Sequence, residues 1–268
     1  MSVDEEKLNY GVFNGDRSLL PYVTFSRKGS HFCIYCGEAS DTREHVPSKV
    51  FLSTPYPNDL PVLPACKKCN NGFSADELYT KVYIDSIKYL SGFSEKILDE
   101  NERRIYSHSA FPDAQKDLSL YYDTGIILVR ERIERILTKL AIGHAVYELS
   151  TGYFSDSFSV SPISIKYRFF FELSEKERDN YDSLIIMDDK KLPEFGSRVY
   201  SKIFVLELVL KSVDGNSIKK TQVAIMNWSD IQDKKYRYIA WFETYDTFHV
   251  KIVIHDFLFS EIIFKLNE

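Results

Sequence analysis

The chain has 268 residues, of which 44% are hydrophobic, 15% aromatic and 27% charged, and its formal net charge is −5. This is a globular composition with enough length for a sizeable core and two domains, and no apolar run reaches the roughly 18 residues that span a bilayer, which speaks against a membrane partner. A negative total counts mildly against nucleic acid as a partner, but a local basic patch is compatible with it.

The first ten residues, MSVDEEKLNY, are acidic and polar. They lack the basic start and apolar stretch of a secretory signal, which places the protein in the cytoplasm, where thiols stay reduced. Four cysteines follow in two C-x2-C pairs, Cys33/Cys36 and Cys66/Cys69, and none is left over. Two residues between ligands let a tight turn aim both sulfurs at one ion, so the four are expected to form a structural zinc site. A redox C-x-x-C accounts for one pair but not for both.

Something folds between the knuckles. The intervening stretch carries Glu44-His45 followed by Val46-Pro47-Ser48-Lys49, then Pro57-Asn58-Asp59, and Asn70-Asn71-Gly72 stands directly after the last cysteine. An acid-His pair between two zinc knuckles, with Asn after the last cysteine, resembles the zinc-bearing branch of the HNH (ββα-metal) endonuclease family. The resemblance covers about residues 30–80. It implies a β-hairpin and a helix clasping one catalytic divalent metal, with the acid-His pair on the first strand.

The resemblance also implies roles. His45 would be the general base that takes a proton from the attacking water. Glu44 and Asn70 would hold a Mg²⁺ or Mn²⁺ ion that stabilises charge on the phosphoryl oxygens, and Asn58 would orient the base. The sequence departs from the pattern by using Glu where Asp is commoner. Asn71 or Glu77 could replace Asn70 as ligand. Residues 27–72 carry six basic and four acidic side chains, among them Lys49, Lys67 and Lys68, which permits a phosphate partner without demanding one.

Beyond the second knuckle, Ser74-Ala75-Asp76-Glu77 fits a capping box that would open a helix through Tyr79, Tyr83, Ile87 and Leu90. Residues 92–124 read as loop with short helical pieces. Residues 126–149 read as a long helix with Val129, Ile133, Ile136, Leu137, Leu140 and Tyr147 on one stripe and His144 packed beside it. After Thr151 short aromatic and β-branched runs predict strands at 167–171, 203–210, 223–226, 236–242 and 250–254. Asp214-Gly215-Asn216 reads as a hairpin turn, and Ser260 to Phe264 as strand or helix. His249 and His255 are expected to be structural.

The expected class is therefore α+β: a zinc-stapled ββα-metal module (1–92), a helical connection (93–150) and a mostly antiparallel β domain (151–268) for a substrate, partner or ligand. Three functions compete. One is a nuclease cutting DNA, or less readily RNA. The second is a non-catalytic zinc-stapled module that binds nucleic acid or protein. The third is a nuclease silent until a partner or ligand engages the C-terminal domain, as in a defence effector.

Overall fold

The computed structural model describes residues 32–92, 130–149, 162–187, 198–211, 218–244 and 246–265, together with Lys116. The fold is mixed helix and antiparallel sheet. A two-stranded hairpin comes first, β1 (Thr42–His45) with β2 (Val62–Ala65), then helix α1 (Lys67–Leu90) and helix α2 (Arg130–Leu149). Strands β3 (Pro162–Phe169) and β4 (Ile185–Met187) flank a short helix α3 (Glu175–Asp179). They are followed by β5 (Ile203–Lys211), β6 (Ile218–Met226), β7 (Ser229–Gln232), β8 (Tyr236–Thr244), β9 (Thr247–Ile254) and β10 (Leu258–Lys265).

Five of these strands form an antiparallel sheet in the order β3-β10-β9-β8-β7, and β4-β6-β5 form a second sheet of three. Both faces of the five-stranded sheet are covered, and the sequence alternation shows it. Along β8, Tyr236, Tyr238, Ala240 and Phe242 join the main core, while Ile239 and Trp241 belong to a second cluster with Met187, Met226 and Trp228. Successive side chains of a strand point to opposite faces, so β8 contributes to two cores at once.

The main core lies between the five-stranded sheet and the two long helices. Helix α1 contributes Tyr79, Val82, Tyr83, Ile84 and Ile87, and α2 contributes Ile133, Ile136, Leu137, Leu140, Ala141 and Ala145. The same cluster takes in Ile34, Val46, Phe51, Leu60 and Leu63 around the hairpin. Apolar packing thus runs without a break across the boundaries expected at 92 and 150. Gly143 lets α2 come close to the hairpin: a Cβ there would stand 3.1 Å from both methyl groups of Val46.

The helix signal at Ser74 needs correction. Helix α1 begins seven residues earlier, where the Lys67 amide donates to Asp41 Oδ1 at 2.6 Å and a carboxylate meets the positive end of the helix dipole. Ser74 therefore sits inside the helix, its hydroxyl donating to the Asn70 carbonyl at 3.4 Å, and Glu77 is free to reach elsewhere. Helix α2 and the strands expected at 203–210, 236–242 and 250–254 are present, and 260–264 is strand. The expected turn at 214–216, Val129 and most of 92–124 lie outside the described residues.

Two long-range clasps tie the loop between β1 and β2 to the far sheet. Gln232 accepts from the Ser53 amide at 2.7 Å and donates to the carbonyls of Ser53 at 2.7 Å and Pro55 at 3.2 Å. His255, at the β9–β10 turn with φ +56°, puts one ring nitrogen 3.0 Å from Asp85 Oδ1 and the other 3.2 Å from the Phe51 carbonyl. Lys81 also pairs with Asp85. Burial alone would raise the pKa of Asp85, but Lys81 and His255 bring it down to about 2.

His144 is buried as expected. Its Nε2 lies 2.7 Å from the Tyr236 hydroxyl, its ring stacks on Tyr238 at 3.6 Å, and its Nδ1 has no hydrogen-bond partner among the described residues. Burial, helped by Lys202, holds its pKa well below the ordinary value. The ring is thus neutral in the fold, while the unfolded chain protonates it near pH 6.5. Its stability contribution is complete above that pH and declines as pH falls, by about 1.4 kcal/mol per unit. Urea unfolding between pH 7.5 and 5.5 is expected to show this slope in the wild type and a flatter one in His144→Phe. An unchanged slope would mean that His144 titrates normally.

Candidate metal centre and the surface around His45

The first knuckle is shaped by its backbone. The Cys33 amide donates to the Glu38 carbonyl at 2.7 Å, and the Gly37 amide returns to the Cys33 carbonyl at 2.9 Å. Gly37 has φ +74°, a conformation that favours glycine and closes the turn. The Ile34 amide donates to the Pro64 carbonyl, which brings this turn against the end of β2 and the start of α1.

All four cysteine sulfurs consequently lie within 4.8 Å of one another, with no disulfide among them. Cys36 and Cys66 sulfurs are 3.7 Å apart. A tetrahedral zinc with Zn–S near 2.3 Å requires sulfurs about 3.8 Å apart, so the cage has the right size. The Tyr35 amide points at Cys33 Sγ and the Cys69 amide at Cys66 Sγ, each at 3.4 Å. The second of these contacts leads in drawing the Cys66 pKa down to about 7, while burial pushes the Cys33 and Cys69 thiols up. The four cysteines could hold one zinc ion.

Glu44 and His45 are neighbours on β1 and so face opposite ways. Glu44 is buried, and its Oε1 accepts from Lys139 Nζ at 2.9 Å and from the Ser48 hydroxyl at 3.2 Å. Burial raises its pKa, and Lys139 offsets part of that rise. Glu77, from α1, pairs with the same Lys139 and competes with Glu44 for the single Ser48 hydroxyl proton. Lys139 Nζ also donates to Ser48 Oγ at 2.5 Å. Its three N–H donors thus meet three oxygens, and its side chain is only 1% exposed.

Asn70 approaches β1 at its other end, its Nδ2 donating to the Arg43 carbonyl at 3.1 Å and to Thr42 Oγ1 at 3.3 Å. Arg43 and His45 are about 7 Å apart along an extended strand. Asn58 lies in an exposed turn before β2, with no hydrogen bond to His45 among the described residues, and Asn71 is exposed on α1. Among the described residues no hydrogen bond joins Glu44, His45 and Asn70 to one another. Glu44 serves a buried ion pair, and Asn70 fastens the helix to the strand.

His45 itself is half-buried, and its ring has no hydrogen-bond partner among the described residues. Burial, and then the nearby Lys49 ammonium, lower its pKa. Lys49 lies 5.3 Å from the ring centre of Tyr56, which is exposed. Arg43 projects from the same face of β1, two residues away. His45 is thus a neutral base at a surface carrying two cationic side chains and an aromatic ring.

Sequence reasoning missed Ser48 as an acceptor and Lys139 as a buried cation. A signal existed for Lys139. It lies inside the apolar stripe of α2 between Ile136, Leu137 and Leu140, where a lysine demands a carboxylate partner.

No family model, curated protein or solved structure matches this chain. Among the described residues no helix is long and apolar enough to cross a membrane.

Proposed function

We propose that the chain hydrolyses phosphodiester bonds of nucleic acid, DNA in preference to RNA, as a zinc-stapled module of the HNH type. The observation that carries this reading is His45: a neutral, half-exposed imidazole on a hairpin fastened by four cysteines, with Lys49 beside it. In the proposed step a water attacks phosphorus and passes its proton to the free imidazole nitrogen, and the bond to the leaving oxygen breaks. Lys49 and Arg43 would offset the negative charge of the phosphate. The zinc would set the shape of the hairpin and take no part in the step.

A divalent cofactor fits poorly with the residues expected to hold it. Glu44, the charged ligand expected, is taken up by Lys139 and Ser48. No step is assigned to Mg²⁺ or Mn²⁺ on those residues. The same engagement of Glu44 favours a second reading, a zinc-stapled module that binds nucleic acid or protein without cutting it.

The discriminating experiment incubates purified protein with supercoiled plasmid and with single-stranded RNA, each with and without added Mg²⁺ or Mn²⁺. Nicking or linearisation of the plasmid is the expected result. Binding with no cleavage under any of these conditions would favour the second reading, and neither binding nor cleavage would remove both.

A further inference from the structure

The resemblance implies a divalent ion clasped between the hairpin and the helix, and in this chain the carboxylates that β1 and α1 bring together are engaged by a side chain of α2. Glu44 of β1 and Glu77 of α1 converge there, with Ser48 beside them, and Lys139 of α2 reaches in to all three. We infer that the Lys139 ammonium is the resident cation of this site and that the protein takes up no Mg²⁺ or Mn²⁺ between β1 and α1. The inference rests on the nuclease reading only in that this reading raises the expectation of a metal there.

Three observations carry it. The ammonium has three donors and three oxygen acceptors, so its hydrogen bonds are complete. Glu44 and Lys139 are both buried, and an ammonium removed from its partners in such surroundings would be left unpaired at high cost. Aromatic rings also pack beside the ammonium: Lys139 Nζ lies 5.5 Å from the Phe73 ring centre, and Phe73 packs edge-on against Tyr35 at 5.1 Å. A hydrated Mg²⁺, which sheds water reluctantly, would have to expel a lysine already held by the carboxylates it seeks.

The test uses the zinc-loaded wild-type protein and Mn²⁺ as a probe, followed by electron paramagnetic resonance and equilibrium dialysis. No Mn²⁺ retained at this site up to millimolar concentration is the expected result. One Mn²⁺ per chain that disappears in Glu77→Gln would overturn the inference, whereas Mn²⁺ that persists in Glu77→Gln lies elsewhere and leaves it standing. Should Glu77→Gln fail to fold, the wild type decides. Mn²⁺ held here would broaden the amide resonances of Glu44 and Lys139 selectively, and unbroadened signals support the resident lysine. None of these readouts involves cleavage, so an inactive protein that excludes Mn²⁺ would count against the nuclease reading alone.

Discussion

Cys66→Ser is expected to empty the zinc site and loosen the Cys33–Cys36 turn and the first turn of α1, a large loss of stability. The wild type should retain one zinc per chain through exhaustive dialysis, and elemental analysis checks this. Zinc on four thiolates contributes on the order of 10 kcal/mol in small metal-stapled modules, where binding and folding are one event. The gain is structural here too. The ion would join the turn at Cys33–Cys36, the end of β2 and the first turn of α1, adding to the apolar packing of Ile34 and Leu63 and to the hydrogen bonds of Asp41 and Asn70.

The loss should be local. The second half of α1 is anchored by Tyr79, Tyr83 and Ile87 in a core that also holds β8, β9 and β10. Limited proteolysis of Cys66→Ser, or of chelated wild type, should therefore cut first between residues 32 and 66 while the five-stranded sheet stays protected. A zinc-free wild type with the same protection pattern would defeat the assignment.

His45→Ala is expected to lower cleavage by about 10²–10⁴-fold, the usual worth of a positioned general base. The substitution should leave the fold intact, because the ring is half-exposed and without a hydrogen-bond partner among the described residues. Substrate binding, read by gel shift, should change little. The pH profile gives an independent check. Burial and Lys49 hold the His45 pKa below its ordinary 6.5, so the neutral base predominates at pH 7. Activity should fall on acidification only below about pH 6.5, approaching tenfold per unit once the ring is protonated. Lys49→Ala removes one of the two causes and should move that limb to higher pH. Cleavage undiminished in His45→Ala would dispose of the mechanism.

Much of this arrangement was legible in the sequence because it is local. The two C-x2-C pairs specify a cage whatever surrounds them, and the alternation of β8 and β9 and the stripe of α2 follow from periodicity. The charge pairing was not legible. Glu44 looks like a ligand in sequence because nothing near it explains a buried acid. Its partner stands 95 residues away, on helix α2. Ser74-x-x-Glu77 misled for the opposite reason: it is a good local signal overridden by Asp41, which caps the helix from across the second knuckle. His255 was rightly left as structural, but its tie to Asp85 spans 170 residues and leaves no mark on either neighbourhood.

The clasps on the loop between β1 and β2 set an order of events during synthesis. The cage needs nothing beyond Cys69, and its two halves are separated by about thirty residues. The loop, by contrast, is held by Gln232 and His255, which follow it by 179 and 204 residues. At roughly 5–20 residues per second on the ribosome, the loop waits about ten to forty seconds between leaving the tunnel and meeting the side chains that hold it. During that interval the staple can close while the loop that carries Lys49 and Tyr56 is not yet held. A nascent chain would thus carry the fastened hairpin before the loop within it is held, and that loop would be secured only once β7 and the β9–β10 turn have been made.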